Sequence, residues 1–187
     1  MRLFLGLKGK GLASAELDEV CSAVTQLQPH QPQDRHMTLG FIGECSAAQA
    51  NEFIHAMDLF MLDASLSEVC WCASSIDMFP QHKPKAWALT GAMTDSLRDL
   101  ITKLSGAHMI GDYIDITRFI PHVSLVYANH DVEIKTVFQS DILLNELVLY
   151  RSLSQAERRA IENNLPWAKL RYEQMMVWNL QGKTGLP

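Results

Sequence analysis

Short apolar runs alternate with amphipathic stretches along this chain, and their periods separate strands from helices. Arg2–Leu7 (RLFLGL) is a near-continuous apolar run followed by Gly9 and Gly11, the pattern of a short buried strand. Behind Ser14, a good N-cap, Leu17, Val20, Cys21, Val24 and Leu27 recur close to the 3.6 period and predict a helix, which Pro29 and Pro32 end. His36–Gly43 (HMTLGFIG) alternates as a strand does, and the shared parity of Leu39 and Phe41 assigns both to the core. Ser46 and Gln49 form a capping-box signature ahead of a second helix, with Ala50, Phe53, Ile54, Met57 and Phe60 on its inner face. Leu66–Phe79 is strand-like, and Pro80–Pro84 is a turn.

The order then begins again. Lys85–Gly91 predicts a short strand, and Thr94 caps a helix with Leu97, Leu100, Ile101 and Leu104 inward and Gly106 at its stop. Tyr113–Tyr127 predicts a long strand region. Each half runs from a strand with an aromatic (Phe4, Trp87) through an amphipathic helix to a strand with H-x-[ST]-L, so two duplicated units are expected at about 2–43 and 85–127. A strand at Ile142–Arg151, a helix begun by Ser154 and Glu157, and a strand at Arg171–Leu180 complete an α+β chain, a single domain over 1–187.

Composition narrows the function classes. Of 187 residues, 48% are hydrophobic and 20% charged, ordinary values for a globule. No apolar run approaches the ~20 residues of a membrane helix or the ~7–15 of a signal-peptide core, so no membrane partner is expected. The net charge of −5 argues against a long, non-specific grip on a nucleic-acid backbone. Four cysteines (Cys21, Cys45, Cys70 and Cys72) without CxxC spacing point to reduced thiols in a cytoplasmic protein, with Cys70-Trp71-Cys72 as a strand of small buried thiols.

The chemistry concentrates in a repeated tetrapeptide. His36-Met37-Thr38-Leu39 and His122-Val123-Ser124-Leu125 both fit H-x-[ST]-L, of which about a tenth of an occurrence is expected by chance. In a strand, residues i and i+2 share a face, so each imidazole has a hydroxyl beside it. Two such strands lining one cleft would offer an imidazole to take a proton and another to give one in an in-line displacement. Thr38 and Ser124 would donate to phosphoryl oxygens. His30, His82, His108 and His130 have no spacing partner and are assigned nothing, and His55 falls on a polar helix face; Arg158 and Arg159 could touch RNA but more often form a solvated face.

HMTLGFIG and RFIPHVSL resemble the paired signatures of the two-histidine (2H) phosphoesterases. With RLFLGL they resemble more narrowly the LigT-like RNA 2′,3′-cyclic phosphodiesterases, also called 2′-5′ RNA ligases. The likeness runs from Arg2 to about Leu180. It implies a bilobal, pseudo-twofold fold with two antiparallel sheets lining a central cleft and helices outside. It also implies hydrolysis of a 2′,3′-cyclic phosphate on RNA ends or small cyclic nucleotides to a 2′-phosphomonoester, by a monomer without metal or other cofactor. His36 and His122 would be catalytic, with His122 activating water and His36 protonating the leaving oxygen, although symmetry makes the roles easy to exchange. Thr38, Ser124 and Arg118 would hold phosphate, Arg118 from four residues before His122 on the same strand parity. An ion pair of Arg118 with Asp115 or Asp112 competes with that role, and Phe4 is either a base-stacking ring or core.

Members of that family often carry a basic residue after the first HxTL, where this chain has Gly40, which favours small nucleotides and short RNA ends over long RNA. A 2′-5′ phosphodiesterase or ligase would use the same residues. A non-catalytic RNA-end or nucleotide-binding module is a second class of reading, and a cysteine nucleophile at Cys45 paired with histidine is a third.

Overall fold

The computed structural model describes residues 1–22, 29–80, 82–83, 85–127, 138–165 and 169–181. Val24 and Leu27 of the first predicted helix, His130 and Pro84 lie outside the described residues. The strands are β1 (Arg2–Lys8), β2 (Met37–Glu44), β3 (Val69–Phe79), β4 (Ala86–Gly91), β5 (His122–Tyr127), β6 (Ser140–Leu144), β7 (Glu146–Ser152) and β8 (Tyr172–Asn179). The α-helices are α1 (Ala15–Ser22), α2 (Ala47–Asp63), α3 (Asp95–Gly106) and α4 (Gln155–Asn164). Helix starts follow the capping chemistry of the sequence. Ser46 and Ser154 form complete capping boxes with Gln49 and Glu157, while Thr94 and Ser14 accept from the backbone N–H three residues on.

The strands form one antiparallel sheet in the order β6-β3-β4-β5-β2-β1-β7-β8. The two expected sheets are its halves, and they meet where Met37 of β2 pairs with Val123 of β5. The strand order is symmetric about that seam. On each side an H-x-[ST]-L strand comes first, then its partner from the same strand-helix-strand unit, then two more strands. One sheet face is covered by helices. Leu17 and Cys21 of α1, Phe53 and Met57 of α2, and Leu97, Leu100, Ile101 and Leu104 of α3 share a core with Leu3, Leu5, Leu7, Met37 and Val123. Helix α4 contributes no buried residue to it. Among the described residues no helix is long and apolar enough to cross a membrane.

Register explains several departures from simple alternation. Gly6 pairs with Thr38 but Leu5 with Gly40, so Leu39 is an extra residue in β2. Ala88 pairs with Ser124 and Trp87 with Val126, so Leu125 is its counterpart in β5. A bulge reverses side-chain parity beyond it. Phe41 is therefore 64% exposed rather than core, while Leu39 stays buried. The same register makes Leu5, not Phe4, the counterpart of Trp87. Leu5 and Trp87 lie in the helix-covered core, whereas Phe4 packs with Val148 and Tyr150 on the other face.

Three further expectations are corrected. The region from Tyr113 to Tyr127 is not one strand; a 3-10 turn at Gly111–Tyr113 and a turn through Thr117 precede β5. Ile142–Arg151 is two strands, because the chain passes from β6 on one edge of the sheet to β7 on the far half. Cys70 is exposed, since alternation along β3 turns Trp71 into the core and its neighbours outward.

Gly40 has a structural reason. A Cβ built there would lie 2.2 Å from the carbonyl oxygen of Tyr113, so the Gly111–Tyr113 turn occupies the space a side chain needs. Restoring a basic residue by Gly40→Lys is expected to cost about 1–3 kcal/mol, the usual range for overpacking. Urea unfolding checks this; a midpoint and slope equal to wild type would show that the turn does not pack on β2.

Candidate active site

The Met37–Val123 pair arranges the motif residues. Opposed residues of an antiparallel pair point to the same side, and neighbours along a strand alternate. Met37 and Val123 are both buried under the helices, so His36, Thr38, His122 and Ser124 turn to the opposite face. All four line one cavity of about 760 Å³. The structure thus brings together both histidines and both hydroxyl residues of the two motifs.

The imidazoles are held alike. His36 Nδ1 lies 2.7 Å from the carbonyl oxygen of Asp34, and His122 Nδ1 lies 2.8 Å from that of Ile120, each two residues back. A carbonyl only accepts, so Nδ1 carries the hydrogen and donates. The lone pair of each neutral ring is then on Nε2. Packing fixes the ring planes. Tyr150 and Phe4 lie 4.7 and 4.9 Å from the His36 ring, and Tyr172 meets it edge-on at 5.3 Å. Phe79 stacks on His122 at 3.8 Å. Gly6 makes room for His36: a Cβ there would be 2.9 Å from Tyr150 Cε2 and 3.1 Å from His36 Cδ2. Ala88, across from Ser124, is the small residue at the matching place in β4.

Burial depresses both imidazoles, because the low-dielectric surroundings disfavour the charged form. The effect holds His36 down to about 4, with the nearby His122 and Lys8 adding to it and the Asp34 carbonyl opposing it. His122 is also lowered by burial, against the pull of the Ile120 carbonyl. Asp34 acts through two groups. Its carbonyl takes the His36 hydrogen, while its buried carboxylate accepts from the backbone N–H of Arg171 at 2.8 Å and of Tyr172 at 3.4 Å. Desolvation outweighs those bonds and raises that carboxyl to about 6.

Arg118 also lines the cavity but stands apart from the four. It sits in the turn before β5, not on the strand, so shared strand parity with His122 does not apply; its largely exposed side chain pairs with Asp115 at 3.4 Å. Phe4 is 3% exposed and stacks on Tyr150 with centroids 5.0 Å apart, so it forms wall beside His36 rather than an open platform. Phe41 and Ile120, with Tyr113 and Tyr127, are the exposed large hydrophobic side chains lining the cavity among the described residues. Cys45 is not among the lining residues. His30, Tyr127, Arg171, Tyr172 and Arg158 are, and of these only Arg158 carried an expectation from the sequence, RNA contact or a solvated face. His30 lies six residues before His36 but outside the strand, across Pro32, and the arginines come from segments distant in sequence from both motifs, so no spacing rule reaches them.

Charge is segregated. Arg2, Lys85, Arg118, Arg158 and Arg171 line the cavity, with Asp115 as its one lining carboxylate among the described residues, in a chain whose net charge is −5. Such a cleft attracts small anions.

Comparison with known proteins places the fold. No family model matches the sequence, and no curated protein does. Solved structures do match. TT0787 of Thermus thermophilus superposes with a TM-score of 0.65 at 19% identity, over 98% of this chain and 100% of that one. E. coli LigT complexed with 3′-AMP gives 0.63 at 21% identity, over 96% and 98%. A crystal structure of a phosphoesterase gives 0.62 at 20% identity over the same shares. LigT has also been solved with ATP, NADP+ and phosphate. The chain therefore has the α+β LigT-like fold of the 2H phosphoesterases.

Both imidazoles are expected to titrate below the ordinary ~6.5 in the free protein, with His36 near 4 and Nδ1 as the protonated nitrogen of each neutral ring. Histidine ring NMR from pH 3 to 8 reads both properties. Stability varies with pH accordingly. In the unfolded chain these groups take up protons first, so their contribution is whole above the unfolded pKa and falls as pH drops toward the folded values. Replacing His36 by Phe should flatten that acid-side fall, and an unchanged slope of stability against pH would contradict the assignment.

Proposed function

We propose that this chain is a LigT-like 2H phosphoesterase that hydrolyses 2′,3′-cyclic phosphates, on RNA ends or nucleotides, to 2′-phosphomonoesters without a metal ion. The observation that carries the reading is the pair of imidazoles, each with Nδ1 tied to the i−2 carbonyl, flanked by hydroxyls on one face of a cationic cavity. The likeness to LigT, solved with nucleotides and with phosphate, supports the substrate class. We take residues 2–43 and 85–127 as duplicated units of a single bilobal domain, a view supported by the symmetric strand order and matching bulges. A reducing, cytoplasmic setting accords with the four free cysteines, and we take the chain to act as a monomer.

In this mechanism the cyclic phosphate binds with Thr38 and Ser124 donating to its non-bridging oxygens, where negative charge is stabilised as the displacement proceeds. A neutral Nε2 removes a proton from water as the oxygen attacks phosphorus. The phosphorus–O3′ bond breaks in line, and the other imidazolium protonates O3′. One ring has gained a proton and the other lost one, and exchange with solvent resets the pair. The anion itself supplies the acid: its charge raises pKa values that burial has lowered.

The resemblance makes His122 the base and His36 the acid. The deeper burial of His36 favours the exchange of roles, because desolvation holds His36 in the neutral form that a general base must start from, while the more accessible His122 is the ring that solvent can more readily keep protonated.

An oligoribonucleotide ending in a 2′,3′-cyclic phosphate is expected to be opened to the 2′-phosphate in EDTA. His36→Ala and His122→Ala should each lower kcat by about 10²–10⁴-fold, with circular dichroism showing an intact fold. Full activity in either folded variant would sink the two-histidine mechanism.

The two role assignments separate on a substrate with a good leaving group, such as bis(para-nitrophenyl) phosphate. Loss of the general acid matters little there, whereas loss of the base still matters. With His36 as base, His122→Ala keeps most of its activity on this substrate and His36→Ala does not. The opposite ranking restores the assignment implied by the resemblance.

A further inference from the structure

His30 is the most unusual polar side chain in the cavity wall. It is 3% exposed, and neither ring nitrogen has a hydrogen-bond partner among the described residues. Its place is fixed by the backbone: its N–H donates to the carbonyl of Leu125 at 2.7 Å, and Pro29 bridges to Val126 at the end of the second motif strand. A buried donor left unpaired is costly, so a wall that keeps one in this cavity calls for a partner from outside the protein.

The neighbours say which partner. Tyr127 lies 5.0 Å from the His30 ring, and the guanidinium of Arg171 sits over Tyr127 at 4.6 Å from its centroid. Asp34 anchors the Arg171 backbone. Neither Arg171 nor Arg158, which lines the same cavity with its Nε buried and unpartnered, makes an ion pair among the described residues. Arg118 and Arg151, by contrast, are paired with carboxylates. The wall thus offers two unpaired guanidinium groups and an unpartnered imidazole N–H, which together complement an anion with several acceptor oxygens. The cavity of about 760 Å³ leaves room for more than the reacting phosphate.

Resting on the phosphoesterase reading, we infer that His30, Arg171 and Arg158 form a second phosphate subsite, so that the preferred substrate carries another phosphate beside the reacting one. That phosphate belongs to the 5′ side of the same nucleotide, as a free monoester or as the diester to the preceding residue of an RNA end.

Calorimetric titration tests the subsite without turnover. The ligands are adenosine 2′-monophosphate, adenosine 2′,5′-bisphosphate and a diadenylate ending in a 2′-phosphate. The second phosphate is expected to tighten binding to wild type by about tenfold or more, as charge-assisted hydrogen bonds do. Arg171→Met should bring that preference close to unity, and His30→Phe, which keeps the ring volume, should reduce it. Preference for the bisphosphate identifies a free nucleotide as substrate, and preference for the dinucleotide identifies an RNA end. Equal affinity of wild type for all three ligands, or a preference that survives Arg171→Met, would overturn the inference. Should His30→Phe fail to fold, the partly exposed Arg171 carries the test alone. A retained preference in a protein that hydrolyses no cyclic phosphate would reject the reaction and leave the subsite standing.

Discussion

The pairing of Met37 with Val123 is the constraint on which the site depends. It joins two four-stranded halves into one sheet, and it is the residue pair that β2 and β5 share. Both side chains are driven under the helices by the hydrophobic effect, which leaves their strand neighbours no choice of face. Burial of two apolar residues thereby aims four polar ones. Register is strongly specified wherever one face is buried, so the seam gains its precision from the core rather than from any contact among the polar groups.

On that base, the histidines are oriented by the nearest available partner, the carbonyl two residues earlier in the same chain. The device needs no third side chain, and it is the same in both halves. It fixes the tautomer while leaving Nε2 as the free nitrogen. The matching bulges at Leu39 and Leu125 extend the symmetry, because each lets the motif strand change its exposed face immediately past the hydroxyl residue. Beyond the bulge in β2 the chain sends Phe41 to the cavity rim.

Much of this was legible in the sequence, for identifiable reasons. Helix starts were readable because capping is local, and the four motif residues were readable because strand parity over three residues is local too. What failed was parity carried too far. Phe41 lies beyond a bulge that pairing alone reveals, and Arg118 lies before the first strand residue of β5, across a turn that its apolar neighbours conceal. Phe4 and Trp87 looked equivalent because both are aromatic, yet register sets Leu5 against Trp87. His30 was illegible for a deeper reason. It reaches the cavity through a two-residue bridge to β5, a tertiary contact that leaves no period in the sequence.

The electrostatics of the chain and of the cavity point in opposite directions, and both matter. A net charge of −5 repels an extended polyanion, while the cluster of lining cations favours a compact one that can enter. The free site holds its imidazoles neutral by burial, among cations that would make any further positive charge costly. An anion reverses that balance at the moment it binds, since it compensates the cations and stabilises a protonated imidazole. In the proposed reaction, acid catalysis would then be coupled to occupancy: the group that must donate a proton would become competent through the charge of the molecule it acts on. A neutral ligand of the same shape would fill the cavity without charging the acid. On that proposal, discrimination for phosphate would follow from the desolvation of the histidines as much as from the groups that hold the phosphate.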